Sequence, residues 1–523
     1  MNPQSEIRNY FSGANSQSPK PKAELQSAIR NPQSVINNGR TAIVVGAGIG
    51  GLAVAIRLAV KGYEVKVFER NAEPGGKLSL FEKDGYIFDA GPSLFTQPRN
   101  IEELFELAGE PIGDYFRYIP VPLACRYFFE NGKTINAYTD KARFAAEMQQ
   151  VAGENPDAIN EYLSAAERAY HSIGHVFLDH SLHRISTWFN KRLLPAISAT
   201  RIRYLTESLH GYNKKSFIAA ETVQIFDRFA TYNGSNPFSA PAMLSMIPHL
   251  EQNEGTFYPE GGMISIPSAL YKLALKKGVR FFFNTPVEKI IHEGGSVRGV
   301  MAGEEKFDAT TVISNVDVYY VYRDLLKDEE RAKKVLKRER SSSALIFYWG
   351  IKKEFPQLDL HNIFFTLNYQ EEFKHLFDLK TLYSDPTIYI NITSKMEKGH
   401  TPEGKENWFV MVNAPAKSGQ DWKEILVRAR KDIIEKLNRM LGEDISPYIE
   451  TEITLDPTGI EASTLSHMGS LYGTSSNSPW SAFLRHPNFT GHLRGLYFTG
   501  GSVHPGGGIP LCLKSARIVA DLC

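Results

Sequence analysis

Gly46-x-Gly48-x-x-Gly51 is a spacing able to hold a pyrophosphate. The first glycine makes a tight turn, the second lets backbone approach phosphate oxygens, and the third lets a helix pack closely on the preceding strand. N–H groups at that helix N-terminus, with the helix dipole behind them, would face the phosphates. Glu69, eighteen residues past Gly51, is placed to accept hydrogen bonds from ribose hydroxyls. Gly75-Gly76-Lys77 adds a second close approach and a cation for phosphate, although it also reads as a plain turn with a solvated lysine. Asp89-Ala90-Gly91-Pro92-Ser93-Leu94 is a turn that can set backbone beside a ring system. Near the other end of the chain comes Thr499-Gly500-Gly501-Ser502-Val503-His504-Pro505-Gly506-Gly507-Gly508-Ile509-Pro510. Glycine at that density ahead of a helix means backbone passing very close to something. A helix N-terminus aimed at a reduced flavin would stabilise negative charge on its pyrimidine edge.

The elements that must position these residues can be read around them. Thr41–Val45 is a short apolar run suited to a strand buried on both faces, Leu52–Lys61 reads as a helix, Gly62 ends it, and Tyr63–Glu69 is a second strand. This is the βαβ unit of a dinucleotide fold, and at this point FAD and NAD are both open. Glu69-Arg70-x-x-x-x-Gly75-Gly76-Lys77 extends the fingerprint in the manner of glutathione-reductase-like FAD proteins and amine oxidases. The paired C-terminal glycine loop then favours FAD.

Residues 101–249 are largely helical in composition and read as an insertion. Strand patterns return at Val279–Asn284, Val287–His292 and Val297–Ala302, with Gly294-Gly295 as a hairpin turn, and again at Thr311–Ser314. Ala344–Ile351, Thr387–Ile392 and Trp408–Val412 suggest an antiparallel sheet, with Trp422–Leu441 as an amphipathic helix. Gly495–Gly501 is a final strand before the helix Leu511–Leu522. The expected plan has a polar leader at 1–40 and a discontinuous dinucleotide-binding domain at 41–100, 250–320 and 481–523. The helical region at 101–249 would be a membrane contact, and 321–480 the substrate-binding domain.

Composition excludes several classes. Lys plus Arg number 59 against 58 Asp plus Glu, which gives no support for nucleic-acid binding. The three cysteines, Cys125, Cys512 and Cys523, have no metal-site or disulfide-framework spacing, so no metal is expected and a reducing compartment is. No apolar run reaches the roughly 18 residues of a membrane span. The polar leader lacks a signal-peptide core. The chain is expected to be cytoplasmic and peripherally membrane-associated.

The chain resembles the bacterial carotenoid (phytoene-type) desaturases, a branch of the FAD-dependent amine-oxidase-like proteins. The likeness spans residues 41–523 and rests on Phe88-Asp89-Ala90-Gly91-Pro92-Ser93, Thr231-Tyr232-Asn233-Gly234-Ser235-Asn236-Pro237, Tyr258-Pro259-Glu260-Gly261-Gly262-Met263, Gly469-Ser470-Leu471-Tyr472-Gly473 and the His504–Pro510 loop. Gly501-Ser502-Val503 stands where many phytoene desaturases have Ala-Ser-Thr, and with Leu511-Cys512-Leu513 it looks most like the flavobacterial hydroxycarotenoid 3,4-desaturases. The resemblance implies an α/β fold, with a Rossmann-like FAD-binding domain of the glutathione-reductase/amine-oxidase type, a mixed-sheet substrate domain and a helical membrane-facing region. It implies FAD contacts at Ile49, Glu69, Lys77, Ser93, Leu94, Val287, Asn315, Gly501, Gly508 and Ile509, with Pro510 in the same loop. Val287 reads equally as a core residue.

The implied activity is C-3,4 desaturation of a 1-hydroxylated carotenoid: hydride to flavin, then proton loss, with oxygen or a quinone as final acceptor. Phytoene desaturation, carotenoid isomerisation, amine oxidation and a lipid-chaperone role without functional FAD are the competing readings. Such chemistry asks for position and an apolar tunnel rather than an activated nucleophile. His504 and Glu260 are the candidates for a base. Residues 184–215 carry Arg184, Lys191, Arg192, Arg201, Arg203, Lys214 and Lys215 among Trp188, Phe189, Leu193, Leu194, Ile197, Tyr204 and Leu205. That mixture suits a basic amphipathic helix at a membrane surface, or an ordinary helix pair with a solvated basic face.

Overall fold

A computed structural model describes residues 39–184, 187 and 203–523. Its organising element is a parallel sheet of five strands in the order Leu496–Phe498, Thr311–Ser314, Thr41–Val45, Glu64–Phe68 and Arg280–Phe282. The apolar run at 42–45 is central and buried on both faces, as a parallel strand covered by helices must be. Register does the positioning. Val45 lies level with both Ser314 and Phe68, and Ser314 lies level with Phe498. The residues that follow these four strand ends, Gly46, Glu69, Asn315 and Thr499-Gly500, therefore emerge along one edge. That is the carboxyl edge, where open parallel sheets bind ligands.

The helix Ile49–Val60 packs against Ile509–Leu522 and Ser265–Lys276, and is buried from Gly50 to Ala59. Its alanines, Ala53, Ala55 and Ala59, keep these neighbours close. A three-stranded antiparallel sheet, Val287–Glu293, Ser296–Ala302 and Glu305–Asp308, covers the other side.

The second sheet has seven strands in the order Ile449–Leu455, Ser343–Ile351, Glu406–Ala414, Ile388–Ile392, His361–Phe364, Leu123–Phe128 and Thr134–Tyr138. It is mixed, because His361–Phe364 pairs in parallel with Leu123–Phe128. Alternation along its strands separates two faces. Leu345, Phe347, Trp349, Trp408, Val410, Ile388 and Ile390 pack under the helix Trp422–Leu441 through Trp422, Ile433 and Leu437. Asp421 caps that helix by accepting from the Lys423 and Glu424 N–H groups. The opposite face carries Ala344, Ile346, Phe409, Met411, Tyr389, His361 and Ile363, and looks into a cavity.

The stretch 101–249 is less uniformly helical than its composition suggests. Between the helix Arg99–Ala108 and the helices that follow from Lys141, it contributes Leu123–Phe128 and Thr134–Tyr138 to this sheet. Trp188, Phe189 and most of the basic segment 184–215 lie outside the described residues. Within the described part, Tyr204 is buried in the core while Leu205 is exposed. Among the described residues no helix is long and apolar enough to cross a membrane.

Candidate active site

The carboxyl edge of the parallel sheet and the open face of the seven-stranded sheet enclose a cavity of about 1190 Å³. Gly46, Gly48, Ile49, Glu69, Lys77 and Val287 line it. Ser93, Leu94, Asn315, Gly501, Gly508, Ile509 and Pro510 also line it, so the two glycine segments and the Gly91 turn converge on one space. Gly51 stands behind this wall, where a Cβ would sit 2.0 Å from the Gly46 carbonyl oxygen. Its role is close packing of helix on strand.

Asn315 is the hinge pin of the arrangement. Its N–H donates to Val45 O at 2.8 Å, which turns its side chain into the glycines. Cβ atoms added at Gly48, Gly50 and Gly500 would lie 2.6, 2.8 and 2.5 Å from its amide atoms. The two helices that start here, at Ile49 and Ile509, have glycine N-caps, Gly48 and Gly508, and neither has a side-chain cap. Their N-termini are thus left to the cavity, where they favour an electron-rich ligand. Glu69 is buried, accepting from Ala47 N–H at 2.7 Å through one oxygen and from Asn71 N–H at 2.9 Å through the other. Lys77 donates to the Leu471 carbonyl at 2.7 Å, and burial draws its amine down to about 8. These features fit FAD, whose pyrophosphate and flavin pyrimidine edge are both electron-rich and whose ribose needs an acceptor.

Neither candidate base reaches this space. His504 is buried in the glycine loop with its Nε2–H donated to His180 O at 3.0 Å, and burial, aided by His183, pulls it down to about 4. It is a neutral ring tying the loop to the chain. Glu260 is exposed in its turn, off the cavity wall. Replacing Glu260 with glutamine is expected to leave turnover within about twofold and stability within about 0.5 kcal/mol, read by product assay and thermal melting.

Sequence reasoning missed a polar cluster on the far wall. Arg228 Nη2 donates to Tyr127 OH at 2.6 Å and to the Glu251 carboxylate at 3.2 and 3.3 Å, and Tyr232 OH also donates to Glu251. His361 Nδ1 lies 2.8 Å from Tyr389 OH, which lies 2.7 Å from Ser93 Oγ. Arg228, Tyr232, Glu251, His361 and Tyr389 all line the cavity.

The buried titratable groups set an acid limit. Burial holds His361 down to about 3 and His486 and His504 down to about 4. It pushes Asp89 up to about 6 and Glu372 up to about 7. Stability from the histidines is present above their ordinary value and lost as pH falls toward the folded ones. The two carboxyls act oppositely, losing their contribution as pH rises through 6 and 7. Between pH 5 and 6, unfolding therefore takes up about three protons at histidine and releases about two at carboxyl. The net proton means stability falling by about 1.4 kcal/mol per unit of acidification. His183, His400, His467 and His492, also pulled down by burial, steepen the slope, and Asp227, Asp432 and Asp456, pushed up by burial, oppose it. Urea midpoints at pH 7, 6 and 5 measure it, and a flat profile would contradict it.

A parallel sheet opening onto glycine cradles, facing a second mixed sheet across one cavity, defines a dinucleotide-dependent oxidoreductase of two-sheet build. The flavin containing amine oxidoreductase family matches residues 49–523. A 1-hydroxycarotenoid 3,4-desaturase of Flavobacterium sp. (strain P99-3) is 49% identical over 92% of this chain and 99% of its own length. A 4,4'-diaponeurosporene oxygenase of Staphylococcus aureus (strain MSSA476) is 32% identical over 92% and 97%. Among solved structures, an oxidoreductase from Methanosarcina mazei superposes with a TM-score of 0.60 at 17% identity, covering 92% of this chain and all of that one. The chain belongs to the flavin containing amine oxidoreductases, and its cofactor is FAD.

Proposed function

We propose that the chain is an FAD-dependent carotenoid desaturase that introduces the C-3,4 double bond into a 1-hydroxylated carotenoid. The likeness to the Flavobacterium 1-hydroxycarotenoid 3,4-desaturase along nearly the whole of both chains carries this reading. FAD supplies a two-electron oxidant for an allylic C–H bond. The chain supplies the rest. Gly46, Gly48, Ile49 and Lys77 hold the pyrophosphate, while Glu69 and Val287 hold the adenosine end. Ser93, Leu94, Asn315, Gly501, Gly508, Ile509 and Pro510 frame the ring system. Ala344, Ile346, Phe409 and Met411 offer the polyene an apolar face and keep water from it.

The substrate dissolves in a bilayer, so the enzyme works at a membrane surface, docked through the basic and aromatic segment 184–215. Oxygen or a membrane quinone takes the electrons. Liposome flotation unchanged by Trp188→Glu with Phe189→Glu would remove the docking assignment.

The deciding experiment incubates the FAD-loaded protein with carotenoids dispersed in liposomes and analyses products by chromatography and mass spectrometry. Loss of two hydrogens from a 1-hydroxylated carotenoid is expected. Gain of oxygen, isomerisation at constant mass, or activity on phytoene alone would overturn the reading.

A further inference from the structure

The polar cluster on the far wall is unexpected in a tunnel for hydrocarbon. Arg228, Glu251 and His361 are buried, and an ion pair withdrawn from water is seldom more stabilising than apolar side chains of the same size. Two donors in the cluster are also left over. His361 Nε2 and Arg228 Nε have no hydrogen-bond partner among the described residues, and both side chains line the cavity.

The tautomer of His361 follows from its neighbours. Asn391 Nδ2 donates to the Leu360 carbonyl at 3.0 Å, which fixes the amide orientation, and the same nitrogen lies 3.2 Å from His361 Nδ1. An amide N–H can only donate, so Nδ1 accepts and the neutral ring carries its proton on Nε2. The cluster thus holds two buried N–H donors that no protein acceptor among the described residues satisfies, on side chains that line the cavity.

Position agrees with this chemistry. His361 is two hydrogen bonds from Ser93, through Tyr389, and the desaturase reading sets the Ser93 turn beside the flavin ring system. Carbon 1 of a carotenoid end group is a near neighbour of the bond between carbons 3 and 4. A site for an oxygen on carbon 1 must therefore lie within a few ångströms of the reacting bond, and Tyr389 links this cluster to the Ser93 turn that the desaturase reading sets at the flavin. The apolar face at Ala344 and Ile346 belongs to a strand three positions across the sheet from His361–Phe364, about 14 Å away. The polyene has room to run in that direction.

We propose that Arg228 and His361, braced by Glu251, Tyr232 and Tyr389, form a subsite that recognises the hydroxyl of the substrate end group as an acceptor of the His361 Nε2–H and Arg228 Nε–H bonds. This rests on the carotenoid reading above and adds the residues that choose among carotenoids. A site built to bond an oxygen penalises the analogue lacking it, because its donors are then buried without partners.

The test uses the full-length FAD-loaded protein and one carotenoid pair, with and without the 1-hydroxyl, both dispersed in liposomes. Wild type is expected to prefer the hydroxylated member by about 100-fold or more in kcat/KM. His361→Leu should cut that ratio by about tenfold or more, mostly through KM, and His361→Gln, which keeps an N–H, should retain most of it. Flavin absorbance checks folding. If His361→Leu does not fold, Tyr389→Phe, which unpins the ring, should lower the ratio in the same direction. A wild-type ratio near one, or a ratio unmoved by these substitutions, overturns the subsite. Dissociation constants for the same pair, read from the shift of carotenoid absorbance, keep the two proposals apart. A protein that binds the pair selectively through His361 but desaturates neither retains the subsite and loses the desaturase assignment.

Discussion

Gly51→Ala is expected to abolish flavin binding although Gly51 touches no part of the cavity. The added methyl would lie 2.0 Å from the Gly46 carbonyl oxygen and 3.1 Å from its carbon, both backbone atoms of the preceding turn. No side-chain rotation relieves that clash, so the helix Ile49–Val60 must move away from its strand by an ångström or more. Its other neighbours resist, because it is buried along its length between Ile509–Leu522 and Ser265–Lys276. Overpacking of this kind costs about 1–3 kcal/mol or more, and here the strain falls on the helix N-terminus that faces the pyrophosphate. We expect purified Gly51→Ala protein to lack flavin absorbance, or to bind FAD at least about 100-fold more weakly by titration. Gly113→Ala is the control, since a Cβ there meets nothing within 4 Å. Equal flavin content in the two variants would contradict the packing argument.

The same glycine shows what a sequence can disclose. Three glycines at fixed spacing between a buried strand and a helix have separable duties, and the duties follow from local geometry alone. The strands at 41–45 and 311–314 and the helix at 422–441 are legible for the same reason: period and punctuation are local. Asn315 is different. Only family resemblance singled it out, and its reason is tertiary, a side chain wedged among glycines from both ends of the chain. The strands Leu123–Phe128 and Thr134–Tyr138 were hidden within a region that reads as helical, yet a signal was present. Asn131-Gly132 between them is a strong hairpin dipeptide, with Gly132 at φ +80°. The far-wall cluster had no such signal. Arg228, Glu251, His361 and Tyr389 come from four separate elements: pairing of neighbouring strands joins His361 to Tyr389, and packing of helical segments onto the sheet adds Arg228 and Glu251.

That packing leads to the second large effect. Arg228→Met is expected to destabilise the FAD-loaded protein by about 3–5 kcal/mol, because it strands the Glu251 carboxylate in the interior. Tyr232 OH and the Gln252 amide, 3.3 Å away, remain as its partners, and neither carries a positive charge. Glu251→Met leaves the opposite charge uncompensated and should cost a similar amount. The double variant Arg228→Met with Glu251→Met removes both charges and keeps comparable volume, so it should recover most of the loss. A coupling of several kcal/mol in that cycle, from urea unfolding at fixed FAD concentration, is the expected result. Additive losses would mean that each side chain stabilises the fold independently, and the ion-pair account would fall. The double variant also separates stability from choice of substrate. If the pair were there to hold the fold, an apolar replacement would serve as well. A folded, flavin-bound double variant that no longer distinguishes hydroxylated from plain carotenoid would show that the charges are kept for recognition.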